Sequence, residues 1–86
     1  MTMDMLKLKQ KGKITKINID DPKVKKHMMD IGFLPGVVVE MYKKQKSKQD
    51  LSIVICRSTK IAIRNSLLRQ IEVEPLTLKN DIDLTM

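Results

Sequence analysis

The sequence predicts a small, mainly β barrel of about five strands, with one short helix after the first strand and a helical turn before the last. Three observations carry this. The length of 86 residues allows one domain and not two. Five short stretches of aliphatic and β-branched residues are separated by closely spaced turn chemistry. A single segment of helical period is bracketed by an Asp-Pro start and a Gly stop. Closing five short strands into a barrel also hides edges that would otherwise invite pairing.

The elements follow in order. Met5-Leu6-Lys7-Leu8 is a short apolar lead-in, and Gly12 reads as a turn after it. Lys13–Ile17 is a strand with a wet lysine face, and Asn18–Asp21 is a turn. Asp21 can cap a helix, and Pro22 fits its first position because the missing N–H costs nothing there. Val24, Met28 and Ile31 then fall on one helical face, and Gly32 suits the left-handed residue that ends a helix. Leu34-Pro35-Gly36 has the chemistry of a type II turn. Val37–Tyr42 is the second strand, with Val37, Val39 and Met41 on one face and Val38, Glu40 and Tyr42 on a wetter one. Lys43–Asp50 is a charged connection. Leu51–Cys56 is the third strand, with Leu51, Ile53 and Ile55 expected inward. Arg57-Ser58-Thr59 turns the chain into Lys60–Arg64, with Ile61 and Ile63 inward. Asn65 or Ser66 can cap a helical turn carrying Leu67 and Leu68. Ile71–Glu74 is the last strand, and Pro75 is expected to stop it. Residues 1–75 form the predicted domain; residues 76–86 carry no strong period and read as a flexible tail.

Composition narrows the function. Seventeen Lys and Arg against ten Asp and Glu give a formal charge of +7, nearly all from lysine. Lysine is a hydrated point charge, so diffuse attraction to an acidic partner fits better than bidentate recognition; plain solubility is the bland alternative. The one cysteine cannot form an internal disulfide, and no secretory leader pattern opens the chain, so it reads as cytoplasmic. No apolar run approaches a membrane span.

Reactive groups are sparse. His27 is the one histidine, flanked by lysine, and reads as a solvated helix residue. Cys56 has a neighbouring cation in Arg57 but no second thiol or base in sequence. His27, Asp30 and Cys56 are the candidate ligands for a divalent ion such as Fe(II), Mn(II) or Zn(II), although their spacing is not that of a zinc site. No cofactor is expected. The serines have only His27 as a base, and no nucleophile elbow or glycine-rich phosphate loop occurs, which argues against an enzyme. Phe33 and Tyr42 are the only aromatics, too few for the stacking platforms of single-strand binders. Met29 beside Leu34 could form a soft apolar spot.

Three stretches together resemble the ferrous iron transport protein A (FeoA) family. They are Leu6-x-Leu8 with Gly12-x-Ile14-x-x-Ile17; the run Lys25-Lys26-His27-Met28-Met29-Asp30-Ile31-Gly32-Phe33-Leu34-Pro35-Gly36 followed by Val39-x-Met41; and Ile61-Ala62-Ile63-Arg64 followed by Ile71-x-Val73. The likeness departs in two loops, at Lys48-Gln49-Asp50 and at Arg57-Ser58-Thr59. It implies an SH3-like barrel, no enzymatic activity, and an accessory or regulatory role in ferrous iron uptake. The implied partner is the large membrane GTPase-transporter of that system, FeoB, met at the cytosolic membrane face. Expected contacts are the helix lysines Lys23, Lys25 and Lys26, the spot at Met29 and Leu34, and Lys43, Lys44 and Lys46 of the charged connection. The alternatives are a small basic nucleic-acid-binding barrel and a metal-binding sensor module.

Overall fold

The computed structural model describes residues 1–44 and 50–76; Lys46 and residues 77–86 of the predicted tail lie outside the described residues. Five strands form one antiparallel sheet: β1 (Lys11–Ile17), β2 (Val38–Lys44), β3 (Leu51–Cys56), β4 (Thr59–Arg64) and β5 (Ile71–Leu76). Helix α1 (Pro22–Asp30) follows β1, and the short α2 (Asn65–Leu68) joins β4 to β5. The strand order is β4-β3-β2-β1-β5. Among the described residues no ladder joins β4 to β5, so the seam is not closed by hydrogen bonds. The 3₁₀ turn Met3–Met5 instead packs against α2 and β5. Thr2 pairs with Glu72, and the Val73 N–H donates to Met1 O at 2.8 Å, which covers part of the β5 edge. Bulges at Thr15 in β1 and Tyr42 in β2 bend the sheet.

Local chemistry explains α1. The Asp21 carboxylate accepts from the Lys23 N–H at 2.9 Å, and Pro22 occupies the first turn. At the far end Gly32 has φ +112°, its N–H donates to Met29 O, and the Phe33 N–H donates to Met28 O. That pair of bonds is a Schellman motif, with Phe33 and Met28 both in the core. Leu34-Pro35-Gly36 forms the expected type II turn: Val37 N–H donates to Leu34 O and Gly36 has φ +95°. Ile31 departs from the predicted face. The helix has already ended, and Ile31 is 39% exposed.

The core joins Met3, Leu6, Ile14, Met28, Phe33, Val39, Met41, Val54, Cys56, Leu68, Ile71 and Val73. Its largest difference from expectation is β3. Ser52, Val54 and Cys56 point inward, while Leu51, Ile53 and Ile55 are half-buried on the opposite face and lie outside the core cluster. Register decides this. Val54 stands opposite Met41 of β2 and Ile61 of β4, and Cys56 stands opposite Val39; directly opposed residues share a face. The buried Ser52 hydroxyl is satisfied by donating to Asn65 Oδ1. Asn65 therefore does not cap α2; its amide donates instead to Asp50 Oδ1 at 2.8 Å, fastening α2 to the start of β3.

Three further expectations are corrected. Gly12 lies inside β1, because Leu6 folds over it: an added Cβ would meet both Leu6 methyls and Val73 Cβ at 3.2 Å. β5 continues through Pro75 to Leu76, which a terminal strand tolerates because one side needs no donor. Lys43 and Lys44 belong to β2, opposite Ile53 and Ser52, and not to a loop.

The β3–β4 hairpin turns on Arg57 and Ser58, both with positive φ (53° and 67°), while Cys56 pairs with Thr59. This is a two-residue turn of the kind that favours Asn-Gly. Replacing Ser58 by Gly, which keeps Arg57, is expected to raise stability by about 1 kcal/mol, read from the urea midpoint.

Candidate functional site

The exposed chemistry of the barrel is cationic and aliphatic. Lys23, Lys25, Lys26 and His27 are exposed along α1, as is Asp30 at its end. Met29 and Leu34 are half-buried, Met29 packed against the core, so the soft spot between them is small. Lys43 and Lys44 extend from β2, with Lys43 on the outer sheet face. The helix lysines and the β2 lysines thus come from different elements.

The three candidate metal ligands do not make a site. His27 and Asp30 are solvent-exposed, whereas Cys56 is 1% exposed with its thiol 3.6 Å from Gly32 O. Among the described residues no three His, Cys, Asp or Glu side chains are grouped to hold an ion. Burial pushes the Cys56 thiol above its ordinary value of 9.0, an effect that nearby Arg57 only partly opposes. A thiol so placed stays protonated at neutral pH and is a poor ligand or nucleophile. Arg57 serves the helix instead. Its side chain lies against the C-terminal end of α1, where a Cβ on Gly32 would be 3.7 Å from Arg57 Cδ. A cation there favours the helix dipole.

This environment gives a measurable result. Iodoacetamide at neutral pH is expected to alkylate Cys56 about tenfold or more slowly than free cysteine, because access requires local opening; parity with free cysteine would contradict the burial. The linkage has a definite sign. Below about pH 9 both folded and unfolded thiols are protonated and nothing is contributed. Above it the unfolded thiol ionises first, so stability falls as pH rises through that value.

The two aromatics are both engaged. Phe33 is fully buried. Tyr42 is exposed at the β2 bulge, but the Lys60 ammonium lies 4.2 Å from its ring centroid. Phe33 thus offers no ring face to a base, and Lys60 covers one face of Tyr42.

The outer-face residues that sequence reasoning placed inward are Leu51, Ile53 and Ile55. Register places them on the outer face with Lys60, Ala62 and Arg64 of β4 to one side and Glu40 and Lys43 of β2 to the other. The available signal was the nearly unbroken apolar run of β3, which marks a strand with hydrophobic residues on both faces.

Fold and surface together define a small SH3-like barrel whose outward chemistry is suited to contact. The chain belongs to the FeoA domain family, which matches residues 1–75, a family of non-enzymatic accessory proteins of ferrous iron transport. Solved structures agree on the fold. The FeoA protein of Chlorobium tepidum is 22% identical, with a TM-score of 0.80 over 90% of this chain and 71% of its own. A FeoA-like protein of Clostridium acetobutylicum is 25% identical, with a TM-score of 0.76 over 90% of this chain and 87% of its own. The FeoA of Stenotrophomonas maltophilia, described as an SH3-domain protein in complex with zinc, is 21% identical, with a TM-score of 0.74 over 86% of this chain and 89% of its own. No curated protein sequence matches the chain. Among the described residues no helix is long and apolar enough to cross a membrane.

Proposed function

We propose that the chain is a cytoplasmic accessory protein of ferrous iron uptake that binds the cytosolic part of a FeoB-type membrane GTPase-transporter. The observation that carries this reading is the FeoA family match across residues 1–75, almost the whole of the described barrel. The physical character of the surface supports it. An excess of exposed lysine steers encounter with an acidic face, and buried aliphatic contacts supply most of the affinity. With Phe33 buried, Tyr42 is left as the one exposed ring, too little for a base-stacking platform, so a nucleic-acid barrel would rely on salt-sensitive backbone binding. The scattered placement of His27, Asp30 and Cys56 gives the sensor-module reading no support.

A pull-down of the transporter's purified cytosolic region on the immobilised chain tests the proposal. Retention at low salt, weakened as salt rises, is the expected outcome. Absence of retention at low salt, with random RNA retained instead, would overturn it.

A further inference from the structure

The outward turn of Leu51, Ile53 and Ile55 leaves an apolar stripe that the core does not use. The stripe runs along β3 for about 13 Å, the rise of four strand residues. Its flanks are set by register. On the β4 side stand Lys60 opposite Ile55, Ala62 opposite Ile53 and Arg64 opposite Leu51. On the β2 side stand Glu40 opposite Ile55 and Lys43 opposite Ile53, with Tyr42 protruding at the bulge. Three cations and one carboxylate thus border three large aliphatic side chains, all on the same face.

We propose that this outer face of β2, β3 and β4 is a docking surface for an acidic, aliphatic-bearing segment of a partner protein. The inference rests on the reading above that the chain works by holding a protein partner, and it assigns the surface that does so. Charge complementarity selects the occupant. Aliphatic side chains of the partner cover Ile53 and Ile55, and its carboxylates meet Lys43, Lys60 and Arg64. A second copy of this chain is disfavoured, because the face would set cations against cations. A membrane is disfavoured by shape: the aliphatic carbons lie half-buried between longer charged side chains instead of protruding beyond them. The Tyr42–Lys60 pair adds a flat amphipathic anchor at one end of the stripe.

The test is a titration of the full chain with a short synthetic peptide alternating aspartate and leucine, followed by amide chemical shifts. Shifts are expected in β2, β3 and β4. The exposed pair Lys43→Glu with Arg64→Glu, and separately Ile53→Glu, should weaken binding about tenfold or more while the remaining amide pattern stays native. Shifts confined to α1, or a preference for anionic phosphatidylglycerol vesicles over the peptide, would overturn the proposal. A second arm uses the transporter's cytosolic region. If the native chain retains it and both variants retain it equally, the surface is wrong and the transporter reading stands. If the peptide behaves as expected but the transporter region is not retained, the surface stands and the transporter reading falls.

Discussion

Phe33→Ala is expected to cost about 3–5 kcal/mol, seen as a large fall in the urea midpoint. Phe33 is fully buried and is the largest side chain of the core. It follows directly on the Gly32 that ends α1, and its own N–H closes the Schellman motif. Truncation therefore opens a cavity where the end of the helix is fastened to the core. A domain of this length holds about 4–13 kcal/mol in total, so the variant should lose a large share of its stability. A loss under about 1 kcal/mol would mean that Phe33 is not a core residue.

The second large effect separates the two faces of β3. Val54→Glu is expected to prevent folding, because Val54 is 0% exposed among Met41 and Ile61. An uncompensated buried charge costs about 3–5 kcal/mol, and the lost valine packing adds to it. Ile53→Glu is expected to change stability by about 1 kcal/mol or less, since the new carboxylate stands opposite Lys43 on a solvated face. Far-ultraviolet circular dichroism with urea titration reads both. The reverse outcome, with the position-54 variant folded and the position-53 variant not, would place Leu51, Ile53 and Ile55 inside.

Where structure is set by chemistry a few residues wide, it was legible in the sequence. Asp21-Pro22 begins α1, Gly32 ends it, and Pro35-Gly36 makes the turn into β2, each through its own backbone preference. The inward faces of β2 and β4 were legible too, because apolar and polar residues alternate there. β3 was not, because both of its faces are largely apolar: the choice between Leu51-Ile53-Ile55 and Ser52-Val54-Cys56 is made by partners, Met41, Val39 and Ile61, distant in sequence. Size misled, as the smaller trio fits the crowded interior and Ser52 finds its partner in Asn65. Gly12 and Pro75 misled for a related reason. Each is a breaker in isolation, yet they stand opposite one another in the β1–β5 ladder, where Leu6 needs the space over Gly12 and a terminal strand has no use for the Pro75 N–H. The lysines of α1 were legible as surface groups, but the stripe on β3 could emerge only once the phase of that strand was known.

A chain that works by holding a partner on its exposed surface must show a footprint there. Hydrogen–deuterium exchange on the full chain, alone and with the transporter's cytosolic region, looks for that footprint most directly. Slowed exchange in β3 and β4 on complex formation is expected, with the β1–β5 ladder unchanged. Unchanged exchange throughout at saturating partner, or the same protection produced by random RNA, would contradict it.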